Sequence, residues 1–294
     1  MSDNGYLTSI DDYLFRNPQK HFTADERTQF EGVAARLYKL ASDLLARPRP
    51  GLPEAYRDSL KISFTSGSSI QAKAGGFPPD LNLISLTMGM VELIWRTTSG
   101  LGVADSTKSS VQEKMLLIVI GHELTHTFFG HNEVPAAPDE GRAMEAHADF
   151  FSGFYLAAIT HETQMKVVAD FEKSVIAIIA SVLFLTVLGG EESVDYHSAP
   201  IRLKWILAGY VRWLEDRRLS LLQPVQELLS LPHLRQFLCG FIPEAGLQAR
   251  AMKLVESSPK IDENDELTIQ VIGKYRTIWQ SRASLLAPIR DRLK

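Results

Sequence analysis

The sequence predicts an α+β chain that is mainly α, with a small antiparallel sheet confined to its N-terminal third. Three observations predict it. Apolar residues recur at helical spacing over 24–47, and again from Ser106 onward. The section between them alternates apolar and polar residues, as a half-buried strand does. Clusters of proline and glycine, Arg47 to Pro53 and Gly75 to Pro79, punctuate that section.

The first helix is carried by Phe30, Val33, Ala34, Leu37, Leu40, Leu44 and Leu45, and the prolines after Arg47 end it. Leu60, Ile62 and Phe64 then mark a first strand. Gly67 opens a turn, Ile70 to Lys73 reads as a return strand, and Leu81 to Thr87 reads as a third. Met88 to Arg96 returns to helical spacing. Ser110-Val111-Gln112-Glu113 has capping-box spacing, so the next helix starts at Ser110 or one turn earlier at Ser106. It runs through the apolar stretch Met115 to Ile120 and on past His126. Pro135 and Pro138 mark a loop, and Asp139 caps a helix containing Glu145 and Asp149. Further helices are predicted at about 164–188, 200–219, 221–231, 245–257 and 264–293.

These elements are read as one domain over 1–294: a helix and small sheet in 1–100, a pair of helices in 106–160, and a helical remainder in 161–294. The apolar run Val175 to Leu188 is 14 residues long. A membrane span needs about 20, so the run reads as a buried core helix. The segment Met1 to Asp12 is polar and acidic and lacks the basic-then-apolar order of a signal peptide. A formal net charge of -4 argues against broad nucleic-acid binding. Cys239 is the single cysteine, so no intrachain disulfide forms. A cytoplasmic protein is the expectation.

The chemistry is concentrated in His122-Glu123-Leu124-Thr125-His126. On a helix, residues four apart lie on one face, so both imidazoles can bind one zinc ion. Glu123 is the next residue round the helix, within reach of a zinc-activated water as its general base. Zinc needs a third protein ligand, and three residues compete for that place. His131 is one, but the metzincin pattern requires histidine where Asn132 stands, and Gly130 is one place late. The reading preferred for His131 is that it ends the helix and interacts with its C-terminal dipole. Glu145 is the second and preferred candidate. It shares a helix face with Asp149, which can hold a ligand histidine by its other ring nitrogen, and the small Ala148 permits close packing of the two helices. His147 lies on the opposite face from that pair and reads as a packed or exposed histidine.

The pairing of His122-Glu123-x-x-His126 with Glu145-x-x-Ala148-Asp149 resembles the gluzincin peptidases, and more narrowly the phage-exclusion Lit peptidase family. His131, five residues after the motif, and Tyr196-His197-Ser198-Ala199-Pro200-Ile201-Arg202 are further points of similarity. His197 and Pro200 are separated by two residues where that family places histidine and proline together. The resemblance covers roughly residues 55 to 215. It implies a zincin-like helical domain, zinc bound by His122, His126 and Glu145, and Glu123 as general base. It also implies an intracellular endopeptidase acting on a protein substrate, which for Lit-type peptidases is the translation factor Tu. His197 is the candidate transition-state residue, or else a capping or core histidine before the helix entered at Pro200. Arg202 anchors the local fold in the preferred reading, or a substrate carboxylate in the other, and Tyr155 and Tyr196 are possible hydrogen-bond donors. Two other classes remain open: a zincin-fold sensor or binding module with a structural zinc, and a helical interaction protein with a coincidental motif.

Overall fold

The structure is a computed structural model. It describes residues 6–46, 61–69, 72–74, 83–129, 131, 140–161, 173–182, 197–216, 249–253 and 256. Helix α1 (Ile10–Arg16) is capped by Ser9, whose side chain accepts from the backbone N–H of Asp12 at 3.1 Å. Helix α2 (Ala24–Ala46) begins with a reciprocal capping box. Thr23 Oγ1 accepts from the N–H of Glu26, and the Glu26 carboxylate accepts from the N–H of Thr23. The buried face of α2 is Phe30, Ala34, Leu37 and Ala41, and Val33, Leu40 and Leu44 of the stripe read in the sequence are half-buried beside it.

Three strands follow: β1 (Lys61–Thr65), β2 (Ala72–Ala74) and β3 (Leu83–Thr87). The sheet is mixed, in the order β1-β3-β2, and so differs from the antiparallel sheet expected. β3 runs parallel to β1, with Ile62 opposite Ile84 and Phe64 opposite Leu86, and antiparallel to β2. β1 and β2 still oppose one another in direction, as a hairpin's strands do. β3 lies between them and carries the buried pair Ile84 and Leu86, opposite the equally buried Ile62 and Phe64 of β1. On the outer edge of β1 the Thr8 N–H donates to the Phe64 carbonyl at 2.9 Å, so the chain before α1 covers that edge.

Thr87 ends β3 and caps helix α3 (Met88–Ser99), its hydroxyl accepting from the Met90 N–H at 3.3 Å. Helix α4 (Asp105–Phe129) takes the earlier of the two starts read from the sequence, within one residue of Ser106. The Ala104 carbonyl already accepts from Thr107 and Lys108. Ser110 therefore lies inside the helix, and Glu113 turns to Arg36 of α2 at 2.8 Å instead of capping. Helix α5 (Glu140–His161) carries Glu145 and Asp149. A helical stretch at 173–182 is buried on every side, from Val175 through Val182, as a core helix must be. Helix α6 (Ala199–Asp216) follows. Among the described residues no helix is long and apolar enough to cross a membrane. The loop expected at Pro135 and Pro138, the cap at Asp139 and the helices expected at 221–231 and 264–293 lie outside the described residues, as does Tyr196.

Two close helix crossings position the functional residues. A Cβ on Gly121 of α4 would stand 3.2 Å from the Cα of Ser152 on α5. The second crossing is tighter. A Cβ on Gly153 of α5 would fall 1.8 Å from the Ile206 carbonyl oxygen, and one on Gly209 of α6 would fall 1.7 Å from that of Phe150. Only glycine at both positions lets the backbones of α5 and α6 touch. That contact brings Arg202 against Asp149.

Candidate metal centre

Helix α4 presents His122 and His126 on the face that meets α5, and α5 presents Glu145 to them. The Nε2 atoms of the two histidines are 3.1 Å apart. Glu145 Oε2 lies 3.1 Å from His122 Nε2, and Glu145 Oε1 lies 3.5 Å from His126 Nε2. One ligand atom from each residue falls within 4.8 Å of the others, a group that can hold a metal ion. The expected third residue is thus the one brought to the two imidazoles, while His131 and His147 stand behind them.

The separations fit a small cation. A tetrahedral zinc with bonds of about 2.0–2.1 Å sets its ligand atoms roughly 3.3–3.4 Å apart. The two Nε2 atoms, 3.1 Å apart, and the Glu145 oxygens, Oε2 at 3.1 Å from one and Oε1 at 3.5 Å from the other, are of that order. A second observation agrees. Glu145 Oε2 is buried yet makes no hydrogen bond, although His122 Nε2 is near in distance. A buried carboxylate oxygen without a donor is costly, and a cation at the centre of the group would satisfy it.

The far side of His122 is fully engaged. Its Nδ1 is 3.0 Å from Asp149 Oδ1. Asp149 accepts a bidentate pair from Arg202, Nε to Oδ2 at 2.7 Å and Nη2 to Oδ1 at 2.8 Å. Asp149 therefore stands where the sequence put it, and Arg202 anchors the local fold, the preferred reading, through a partner the sequence did not name. A carboxylate accepts only, so His122 Nδ1 carries a proton, and once Nε2 gives up its own proton its lone pair faces Glu145 and His126.

The electrostatics favour positive charge in the middle of this group. Burial works against a charge on His122, but Asp149 and Glu145 outweigh it and hold its pKa up to about 10. Burial would raise the Glu145 carboxyl, yet His122 and His126 keep it well below the usual carboxylate range. Burial pushes Asp149 the same way, and Arg202 followed by His122 overcomes it, so Asp149 is ionised. Glu145 and Asp149 bring two negative charges and Arg202 one positive charge, so the group favours a second positive charge, which a proton on His122 supplies and a metal ion would replace.

Beyond His126 the pattern changes from carboxylates to imidazoles. His131 Nδ1 lies 2.9 Å from His126 Nδ1, and His131 Nε2 lies 3.0 Å from His147 Nδ1. Burial, then the neighbouring His126 and His147, keep His131 well below the ordinary imidazole range. Burial and His126 bring His147 down to about 3. Both are neutral. The sequence reading gave His131 to the helix dipole. Its backbone does close the end of α4, donating to the His126 carbonyl at 3.0 Å, but its ring packs inward on His126. His147 is fully buried between Phe129 and Phe151, the packed alternative expected for it.

Glu123 is half-buried on α4, and among the described residues its carboxylate has no hydrogen-bond or ion-pair partner. His197 is half-buried in the chain entering α6, five residues before Arg202, and is not in the converging group. Tyr155 is buried, with its ring against Gly121 and near Phe151, and belongs to the α4–α5 packing. Compared with family models, with curated proteins and with solved structures, the chain matches none.

Proposed function

We propose that this chain is a gluzincin-type zinc metallopeptidase, most similar in its motifs to the Lit peptidases, which hydrolyses a peptide bond in an intracellular protein. The observation that carries the reading is the convergence of His122, His126 and Glu145, with Glu123 beside them on the same helix and unpartnered among the described residues. His122 and His126 would bind zinc through Nε2 and Glu145 through its carboxylate. Zinc held there supplies a Lewis acid, which polarises the scissile carbonyl and lowers the pKa of water.

The remaining work falls to the chain's own groups. The Glu123 carboxylate takes a proton from the attacking water as the water oxygen bonds to the carbonyl carbon. It then delivers that proton to the amine nitrogen as the C–N bond breaks. Asp149 and Arg202 fix the ring of His122, so that its lone pair is aimed before any ligand arrives. His197 is the donor assigned to the developing oxyanion.

The zinc-loaded chain, incubated with a cell extract, should generate new protein N-termini that the Glu123→Gln variant does not. N-terminal labelling with mass spectrometry reads the difference. New termini at equal yield from both proteins would remove Glu123 from the mechanism. No new termini from the wild type, with zinc bound, would favour a zincin-fold sensor in which the metal is structural.

A further inference from the structure

The buried histidines behind His126 are not needed as ligands, and two imidazoles enclosed in a core call for a reason. The rings form one chain of contacts: His122 Nε2 to His126 Nε2 at 3.1 Å, His126 Nδ1 to His131 Nδ1 at 2.9 Å, and His131 Nε2 to His147 Nδ1 at 3.0 Å. Each contact joins two nitrogens, so each can hold only one hydrogen between neutral rings. The placement of one proton then dictates the next.

If His126 gives its Nε2 lone pair to a metal, its single proton is on Nδ1. The ring nitrogen facing that proton belongs to His131, so His131 Nδ1 must be the acceptor. The His131 proton is then on Nε2 and is donated to His147 Nδ1. The last proton rests on His147 Nε2, which is buried without a hydrogen-bond partner. The sequence closes the chain at the same place. The His131 backbone N–H donates to the carbonyl of His126, so main chain and ring of one residue both anchor on the other. Phe129 and Phe151 meet the His147 ring edge-on, with centroids 4.5 and 5.0 Å away, and fix its plane.

We infer that His131, backed by His147, is a positioning residue that sets the tautomer and ring orientation of His126, the neutral counterpart of Asp149 behind His122. The inference rests on the zinc reading above and goes beyond it. The two ligand histidines are held by different means. His122 is held by an anion, which strengthens its donor nitrogen. His126 is held by a neutral acceptor, which orients it without adding charge. A second carboxylate behind His126 would have added one more negative charge to be taken out of water. An imidazole acceptor avoids that.

The test is zinc affinity of the full chain by chelator competition, for wild type, His131→Leu and His131→Asn, with thermal midpoints recorded alongside. Leucine fills the space but cannot accept a hydrogen bond. Asparagine places a carbonyl oxygen near the position of Nδ1. His131→Leu should bind zinc about 10–100-fold more weakly, the usual cost of losing such an outer partner. His131→Asn should recover most of that loss even where its thermal midpoint falls as far as that of His131→Leu. Long-range nitrogen–proton NMR on the zinc-loaded wild type should find the His126 proton on Nδ1. Equal zinc affinity in all three proteins, or equal losses in both variants, would overturn the inference and leave the zinc reading standing. So would an NMR spectrum with the proton of His126 on Nε2. Absence of zinc binding by the wild type would overturn both.

Discussion

The buried Asp149 and the half-buried Glu145 and Arg202 lie where α4, α5 and α6 meet. Removing one of the three has different consequences from removing a surface charge. Arg202 makes two parallel hydrogen bonds to Asp149, and Asp149 in turn holds Nδ1 of His122. Arg202→Ala leaves a buried carboxylate with one partner fewer, and His122 loses its fixed orientation. Zinc affinity should fall about 10–100-fold, measured by chelator competition, with His122, His126 and Glu145 all intact. An unchanged affinity would reduce Arg202 to a fold anchor. His197 makes the complementary prediction. His197→Ala should keep zinc and lower kcat by about 100–1000-fold, the range seen for loss of an oxyanion donor. Loss of zinc instead would place His197 with the metal rather than with the transition state. At this scale the sequence was informative where residues are neighbours along one helix. His122, Glu123 and His126 share one turn of α4, and Glu145 and Asp149 share one face of α5. The Arg202–Asp149 pair spans 53 residues and depends on how two helices cross, which no local spacing encodes. The ring of His131 was misread for a related reason. A histidine near a helix end has two ways to be satisfied, and only the fold selects the inward one.

The helices themselves depend on a few positions that carry no chemistry. Gly209 touches the backbone of α5, so Gly209→Ala must push α5 and α6 apart, loosening the reach of Arg202. The substitution should destabilise by about 1–3 kcal/mol, as overpacked cores do, and lower the thermal midpoint. Gly32 provides the contrast. It is exposed in the middle of α2, and a Cβ there meets nothing within 4 Å. Gly32→Ala should therefore stabilise by about 0.5–1 kcal/mol in the same measurement. Equal effects of opposite expectation at these two sites would refute the crossing argument. The periodic helices were legible because one apolar face repeats over many turns. Their ends and the sheet order were less so. Thr23 and Glu26 show the capping-box spacing and use it, whereas Ser110 and Glu113 show the same spacing and do not, because Arg36 takes Glu113. The strands were located by alternation, but alternation says nothing about which strand is central. Ile62 and Phe64 of β1 are as buried as Ile84 and Leu86 of β3, so side-chain burial does not encode the order either.

Across the molecule, one carboxylate of α3 gathers partners from the N-terminal segment and from its own helix. Glu92 of α3 accepts from Tyr13 of α1 at 2.7 Å, from Lys20 at 2.9 Å and from Arg96 at 2.7 Å. Burial would raise its pKa, but these three partners together hold it below the usual Glu value. Because its folded pKa lies below the unfolded one, the stability it adds is present above the ordinary Glu range. It is lost as pH falls through the folded value. Glu92→Gln should accordingly lose less stability than wild type between about pH 5 and pH 3, read from thermal midpoints across that window. A parallel decline would mean that Glu92 contributes no acid sensitivity. The same logic of charge governs the metal centre, where two carboxylates face one guanidinium and call for a second positive charge, a proton on His122 or a metal ion in its place. The most direct measurement of that claim is the zinc content of the purified chain, beside His126→Ala and Glu145→Ala. About one zinc per chain, lost in both variants while each still folds, is the expected result. Zinc retained by Glu145→Ala would contradict the assignment of the third ligand, and no zinc in the wild type after zinc is supplied would contradict the site itself.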